Sequence, residues 1–237
     1  MDTTAYVAMP AIPAEPVAAR PRNMFDLILR GRERLDELLR DETQLAPAAQ
    51  KLLVLSILGL AIHGAVLGLA AAALPPQAVG AFLARGRPWL WAPLSFAGAF
   101  IGTLGICLPS FWFYTQLSGL DASFRMVAAQ ALRAQATTSL LLLGVLPVYA
   151  AFAMGAALHL VDPSGVVTVG LWLPFVVGLF GVAALYRAFQ SLAWHLPRTH
   201  ERRGNFLLRM VLCWAGVYST IAPIALWALA SALGNVL

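Results

Sequence analysis

The sequence predicts an all-α fold, a polytopic transmembrane bundle of five spans preceded by an amphipathic helix on the cytoplasmic side. Three observations carry that prediction. First, five apolar blocks, approximately Leu52–Leu74, Trp89–Leu117, Ala136–Leu160, Val166–Gln190 and Phe206–Leu233, each exceed the roughly 20 apolar residues that cross ~30 Å of hydrocarbon as a helix. Second, 60% of the 237 residues are hydrophobic, only 11% are charged and the mean hydropathy is +0.76, more apolar surface than a water-soluble domain of this size can hide. Third, aromatic residues mark the block ends: Trp89, Trp91 and Trp172 at one side, Trp112, Tyr114 and Trp194 at the other, where amphipathic rings meet headgroups.

Residues 1–21 hold Pro10, Pro13, Pro16 and Pro21 among Ala and Val, without helical or strand periodicity, and read as a disordered or extended tail. No cleavable signal peptide is apparent there, so the first span is expected to act as the targeting signal. Residues 22–50 form the next unit. Phe25, Ile28, Leu35, Leu38 and Leu39 recur near helical spacing among charges, which predicts an amphipathic helix over Arg22–Leu45, with Asn23 as N-cap and Pro47 as the stop. Asp36 is one turn from both Arg32 and Arg40 and can pair with either on the wet face. Between Asp26 and Glu42 six acidic residues face four basic ones, whereas a helix held on anionic lipid is basic on its polar face. Its apolar stripe is therefore read as a docking surface, for the protein's own cytoplasmic side or for a partner, the plain alternative being a solvated lead-in helix.

Residues 51–237 hold the five spans. Gly64 and Gly68, and again Gly98 and Gly102, stand at the i, i+4 spacing that lets another helix approach closely, although glycine is also simply common in membrane helices. Spans 2 to 5 contain Pro93 and Pro109, Pro147, Pro174 and Pro223; each frees a backbone carbonyl and bends its helix. Between spans 2 and 3, the turn ending at Asp121 is followed by a short amphipathic helix that would set Arg125 and Arg133 towards lipid phosphates, a role also assigned to Arg198, Arg202 and Arg203.

Lys and Arg are distributed 14 to 2 between alternate sides of the spans, which predicts a cytoplasmic N-terminus and an external C-terminus. The net charge of +5 follows from this loop asymmetry, and no nucleic-acid partner is inferred from it. Cys107 and Cys213 both fall inside spans and are read as small hydrophobes, not a disulfide.

Chemistry-bearing residues are few. His63 is the one ionisable side chain deep in a block; it reads either as a switch or cofactor ligand, or as a neutral imidazole bonded to a facing helix. With no second ligand on its own helix the latter is preferred, and no cofactor or metal is assigned. His195, His200 and Glu201 do not match a ligand pattern. The usual hydrolase and nucleotide-binding signatures are absent from the sequence, so no enzyme is expected.

The stretch Leu108-Pro-Ser-Phe-Trp-Phe-Tyr-Thr-Gln-Leu-Ser-Gly119, followed by Ser123-Phe124, resembles the corresponding region of bacterial Yip-like five-span membrane proteins. The resemblance covers spans 2 and 3, and elsewhere the topology alone. It implies a non-enzymatic organiser or adaptor. The expectation is a bacterial inner-membrane scaffold, anchor or accessory subunit, in contact with lipids and with other subunits or further copies of itself. Two alternatives stand beside it: a transport or channel component using Thr103, Gln116, Thr137, Thr138 and Ser139, and a cofactor-binding electron-transfer subunit using His63.

Overall fold

A computed structural model describes residues 23–75, 77, 79, 83, 86–117, 119–120, 122–193 and 203–236. The tail 1–21, Asp121, Trp194, His195, Arg198, His200, Glu201 and Arg202 lie outside the described residues, as does the side chain of Arg203.

Seven helices account for nearly all of the rest: α1 (Met24–Arg30), α2 (Arg32–Arg40), α3 (Glu42–Ala73), α4 (Pro88–Leu117), α5 (Phe124–Ala157), α6 (Ser164–Ala193) and α7 (Arg203–Gly234). The last five are long and apolar enough to cross a membrane. They form a ring in which α3 packs on α4 and α5, α5 on α6, and α4 on α7; the α6–α7 seam that closes the ring is the loosest.

The N-terminal segment differs from the single helix expected of it. Gly31 separates α1 from α2, and Asp41 rather than Pro47 divides α2 from the first span. Asn23 stands at the N-cap of α1, but its side chain makes no capping bond. The Asp41 carboxylate accepts from the Thr43 backbone N–H at 2.9 Å and from the Thr43 hydroxyl at 2.7 Å, so it caps α3, and Pro47 lies inside that helix. A proline this close to a helix start deletes one backbone bond without ending the helix. The signal was present as Asp41-Glu42-Thr43-Gln44, a capping residue with Gln three positions later.

The expected short helix between spans 2 and 3 is likewise the first part of α5, which runs unbroken to Ala157 behind Ser123, whose Oγ accepts from Met126 N–H at 3.3 Å. Nothing in the Ala-rich stretch from Val127 to Ala136 interrupts the ladder. At its far end α5 closes in a Schellman turn: Leu160 N–H reaches Gly155 C=O at 2.8 Å, His159 N–H reaches Ala156 C=O at 3.0 Å, and His159 takes the left-handed conformation at φ 59°.

Candidate functional site

The interior is organised around one side chain. His63 of α3 is fully buried and its Nε2 lies 2.9 Å from the carbonyl oxygen of Gly170 on α6. A carbonyl only accepts, so Nε2 carries a proton and donates it. Gly170 is four residues before Pro174, so its carbonyl is the one that Pro174 leaves without an intrahelical donor. His63 supplies that donor. The ring also meets Phe96 edge-on, with centroids 5.3 Å apart, and lies 6.0 Å from Tyr149, whose hydroxyl donates to Val166 C=O at 3.2 Å, one turn before Gly170. A Cβ on Gly170 would sit 2.3 Å from the Tyr149 hydroxyl, so any larger residue there must displace the Tyr149 ring.

Close helix approach sets this geometry. On Gly64 a Cβ would lie 2.6 Å from Ala92 O, and on Gly68 it would lie 2.5 Å from Pro88 O, so α4 backbone runs directly against α3. Gly98 and Gly102 do not form a matching seam. Gly98 faces only the Leu229 side chain and Gly102 has open space. The seam that spacing alone did not single out is Gly59, where a Cβ would lie 2.7 Å from Ser139 Cβ; Ser139 Oγ there donates to Ser56 C=O at 3.2 Å and ties α5 to α3.

At the N-terminal face α1 and α2 fold back on the bundle. Ile28, Leu35 and Leu39 are buried with Leu45, Leu52, Ala129, Ala136 and Leu140, and Phe25 stays exposed while Leu38 is half-buried. Arg133 does not reach towards lipid: only 7% exposed, it forms an ion pair with Asp36 of α2. Of the two neighbours on its own helix that spacing offers Asp36, Arg32 has its side chain outside the described residues. Within α1 Arg30 approaches Asp26 at 4.0 Å, and Arg40 donates to Ser191 C=O on α6 at 3.5 Å. The physical reason is burial: a guanidinium held inside the bundle needs a carboxylate, whereas exposed pairs one turn apart gain little. Arg125 remains exposed at the same face.

The remaining polar residues are dispersed. Gln116 donates to Ala122 C=O at 2.6 Å in the α4–α5 turn, Thr137 donates to Arg133 C=O and Thr138 to Ala134 C=O, and Thr103 is buried in α4. Of these, Thr138 borders a cavity of about 110 Å³ between α5, α6 and α7. Gln135 and Tyr218 line the same space, with Tyr218 Oη 3.0 Å from Gln135 Oε1 and 3.1 Å from the Phe100 carbonyl oxygen, either of which can accept its proton. Trp91 is fully buried, so it belongs to the core and not to an aromatic belt, unlike the exposed Trp89, Trp172, Trp112 and Tyr114. Cys107 and Cys213 are both free thiols.

Among the described residues, no three His, Cys, Asp or Glu side chains converge as a metal set. The architecture is that of an integral, multi-pass α-helical membrane protein in contact with lipid. No family model, curated protein or solved structure matches the chain.

Proposed function

We propose that this chain is a non-enzymatic scaffold, anchor or accessory subunit of a larger complex in the bacterial inner membrane, with its N-terminus cytoplasmic and its C-terminus outside. The observation that supports this reading is the α1–α2 cap. Leu35, Leu39 and the Asp36–Arg133 pair fix it to the bundle, while Glu33, Arg34 and Glu37 project outwards with no part in that packing. A charged helical face held rigidly at the membrane surface suits a partner, because its ordering entropy is already spent on folding. The resemblance of Leu108–Gly119 to bacterial Yip-like proteins points the same way, and the 14 to 2 charge bias supports the orientation.

Charge reversal of the outward face, Glu33→Lys with Glu37→Lys, tests the role. Proteins that co-purify with the wild type should be lost while insertion and thermal stability persist, and equal recovery of those proteins would overturn the reading. For orientation, a reporter active only in the cytoplasm should work at the N-terminus and fail at Leu237.

A further inference from the structure

The cavity between α5, α6 and α7 combines apolar walls with hydrogen-bond donors that the protein itself does not use. Gln135 is 6% exposed and Trp214 is 9% exposed, and both line the space. Tyr218 Oη has one proton to give and lies 3.0 Å from Gln135 Oε1 and 3.1 Å from the Phe100 carbonyl oxygen; with the proton on Gln135, Gln135 Nε2 is left without a partner, and Trp214 Nε1 has none either. A buried N–H without an acceptor costs about 1–3 kcal/mol, so two in one cavity define a place for an acceptor oxygen. Both groups are neutral donors and the lining residues carry no charge, so an uncharged carbonyl oxygen fits without the desolvation cost of an anion.

Depth and shape narrow the molecule further. Gln135 is two residues, about 3 Å along the helix, from Arg133, whose pairing with Asp36 places it beneath the surface cap. That is the level at which ester carbonyls of a bilayer lipid lie, just inside the headgroups. The back of the cavity is closed, since a Cβ on Gly181 would lie 2.7 Å from Ala134 O. Its rim, however, is Leu179 at 67% exposure and Leu212 at 54%, so it opens sideways to lipid through the loose α6–α7 seam.

Phe175 lines this cavity and also a second, apolar groove of about 310 Å³ formed by Leu171, Trp172, Pro223, Leu226 and Trp227 on the same seam. From Trp214 to Pro223 is nine residues of α7, about 14 Å, close to half of a ~30 Å hydrocarbon core. Arg209 is exposed one turn from Leu212 on the same side of α7, towards the N-terminal face.

We propose that the α6–α7 seam binds one anionic phospholipid of the leaflet at the N-terminal face. Gln135 Nε2 and Trp214 Nε1 donate to an ester carbonyl, the acyl chain runs past Phe175 into the apolar groove, and Arg209 meets the phosphate. The site is independent of the α1–α2 surface assigned to partners.

The test uses the full chain, purified and delipidated in mild detergent, with its thermal midpoint followed as lipid is added. Diester phosphatidylglycerol should raise the midpoint saturably. Diether phosphatidylglycerol, identical except that it lacks the carbonyls, should need about five- to tenfold more lipid for the same effect, as for the loss of one or two hydrogen bonds. Gln135→Leu, which fills a similar volume and lets the Tyr218 hydroxyl turn to the Phe100 carbonyl oxygen, should erase the difference between the two lipids without lowering the lipid-free midpoint. Arg209→Ala should reduce the preference for phosphatidylglycerol over phosphatidylcholine. Equal response to diester and diether lipid, or an ester preference that survives Gln135→Leu, would overturn the proposal. Tight retention of a lipid-soluble quinone in place of phospholipid would overturn it as well.

Discussion

His63 and Pro174 act on the same atom, the carbonyl oxygen of Gly170: the proline ring removes its helical donor and the imidazole Nε2–H, 2.9 Å away, replaces it. In hydrocarbon no water can take that place, so the proline site on α6 is tied to a side chain on α3.

This relationship makes a double-mutant cycle decisive. His63→Leu should destabilise the bundle by about 1–3 kcal/mol, the penalty of an unsatisfied buried group. In a Pro174→Ala background, where residue 174 again has an N–H for Gly170, the same change should be nearly silent. His63→Gln should fall between, and neither variant should alter any visible absorbance. Equal losses in both backgrounds, measured by unfolding in mixed detergent micelles, would refute the coupling.

The Asp36–Arg133 pair holds α2 onto the bundle from inside. Arg133→Met leaves a carboxylate without its partner, and because Asp36 is partly solvated the penalty should be ~1–3 kcal/mol, below that of a fully buried pair. Hydrogen exchange over residues 32–40 should accelerate accordingly, while the amides of α3 and α4 stay protected. The exchanged pair, Asp36→Arg with Arg133→Asp, should recover part of the protection.

Glycines that look alike in sequence should behave differently. Gly64→Ala and Gly68→Ala drive a methyl into α4 backbone and should each destabilise by about 1–3 kcal/mol. Gly102→Ala meets open space and should be neutral, or stabilising by a few tenths of a kcal/mol. Comparable losses at all three positions would contradict the packing described.

The Thr43 hydroxyl, then the Thr43 N–H, holds the Asp41 carboxyl below its ordinary range. A carboxyl with a lowered folded-state pKa contributes its stabilisation above the unfolded-state value and loses it as pH falls through the folded one. Acidification should therefore fray the start of α3 and loosen the cap before the spans respond. Asp41→Asn, which keeps an acceptor but does not titrate, should remove that acid sensitivity, as read by limited proteolysis across a pH series.

The number of the spans was legible from the sequence because hydrocarbon imposes a strict requirement, a long apolar run with every backbone group bonded internally, and composition alone registers it. A hydrogen bond from His63 to a facing helix was one of two readings open from the sequence, and Gly64 and Gly68 stood at a spacing that permits close packing. What the tertiary structure decided was which groups meet. Spacing gave Asp36 two neighbours on its own helix, yet its partner Arg133 is 97 positions away, because burial of the guanidinium makes that pairing worth more than an exposed one. Periodicity marked Pro47 as a stop, but the Asp41–Thr43 cap moved the boundary, and the segment after Ser123 merged with its span because nothing in the chain breaks the ladder there. The cavity shared by Gln135, Trp214 and Tyr218 draws on helices far apart in the chain, so no local pattern encodes it. It lies at the α6–α7 seam, the loosest of the ring, whose two helices carry Pro174 and Pro223.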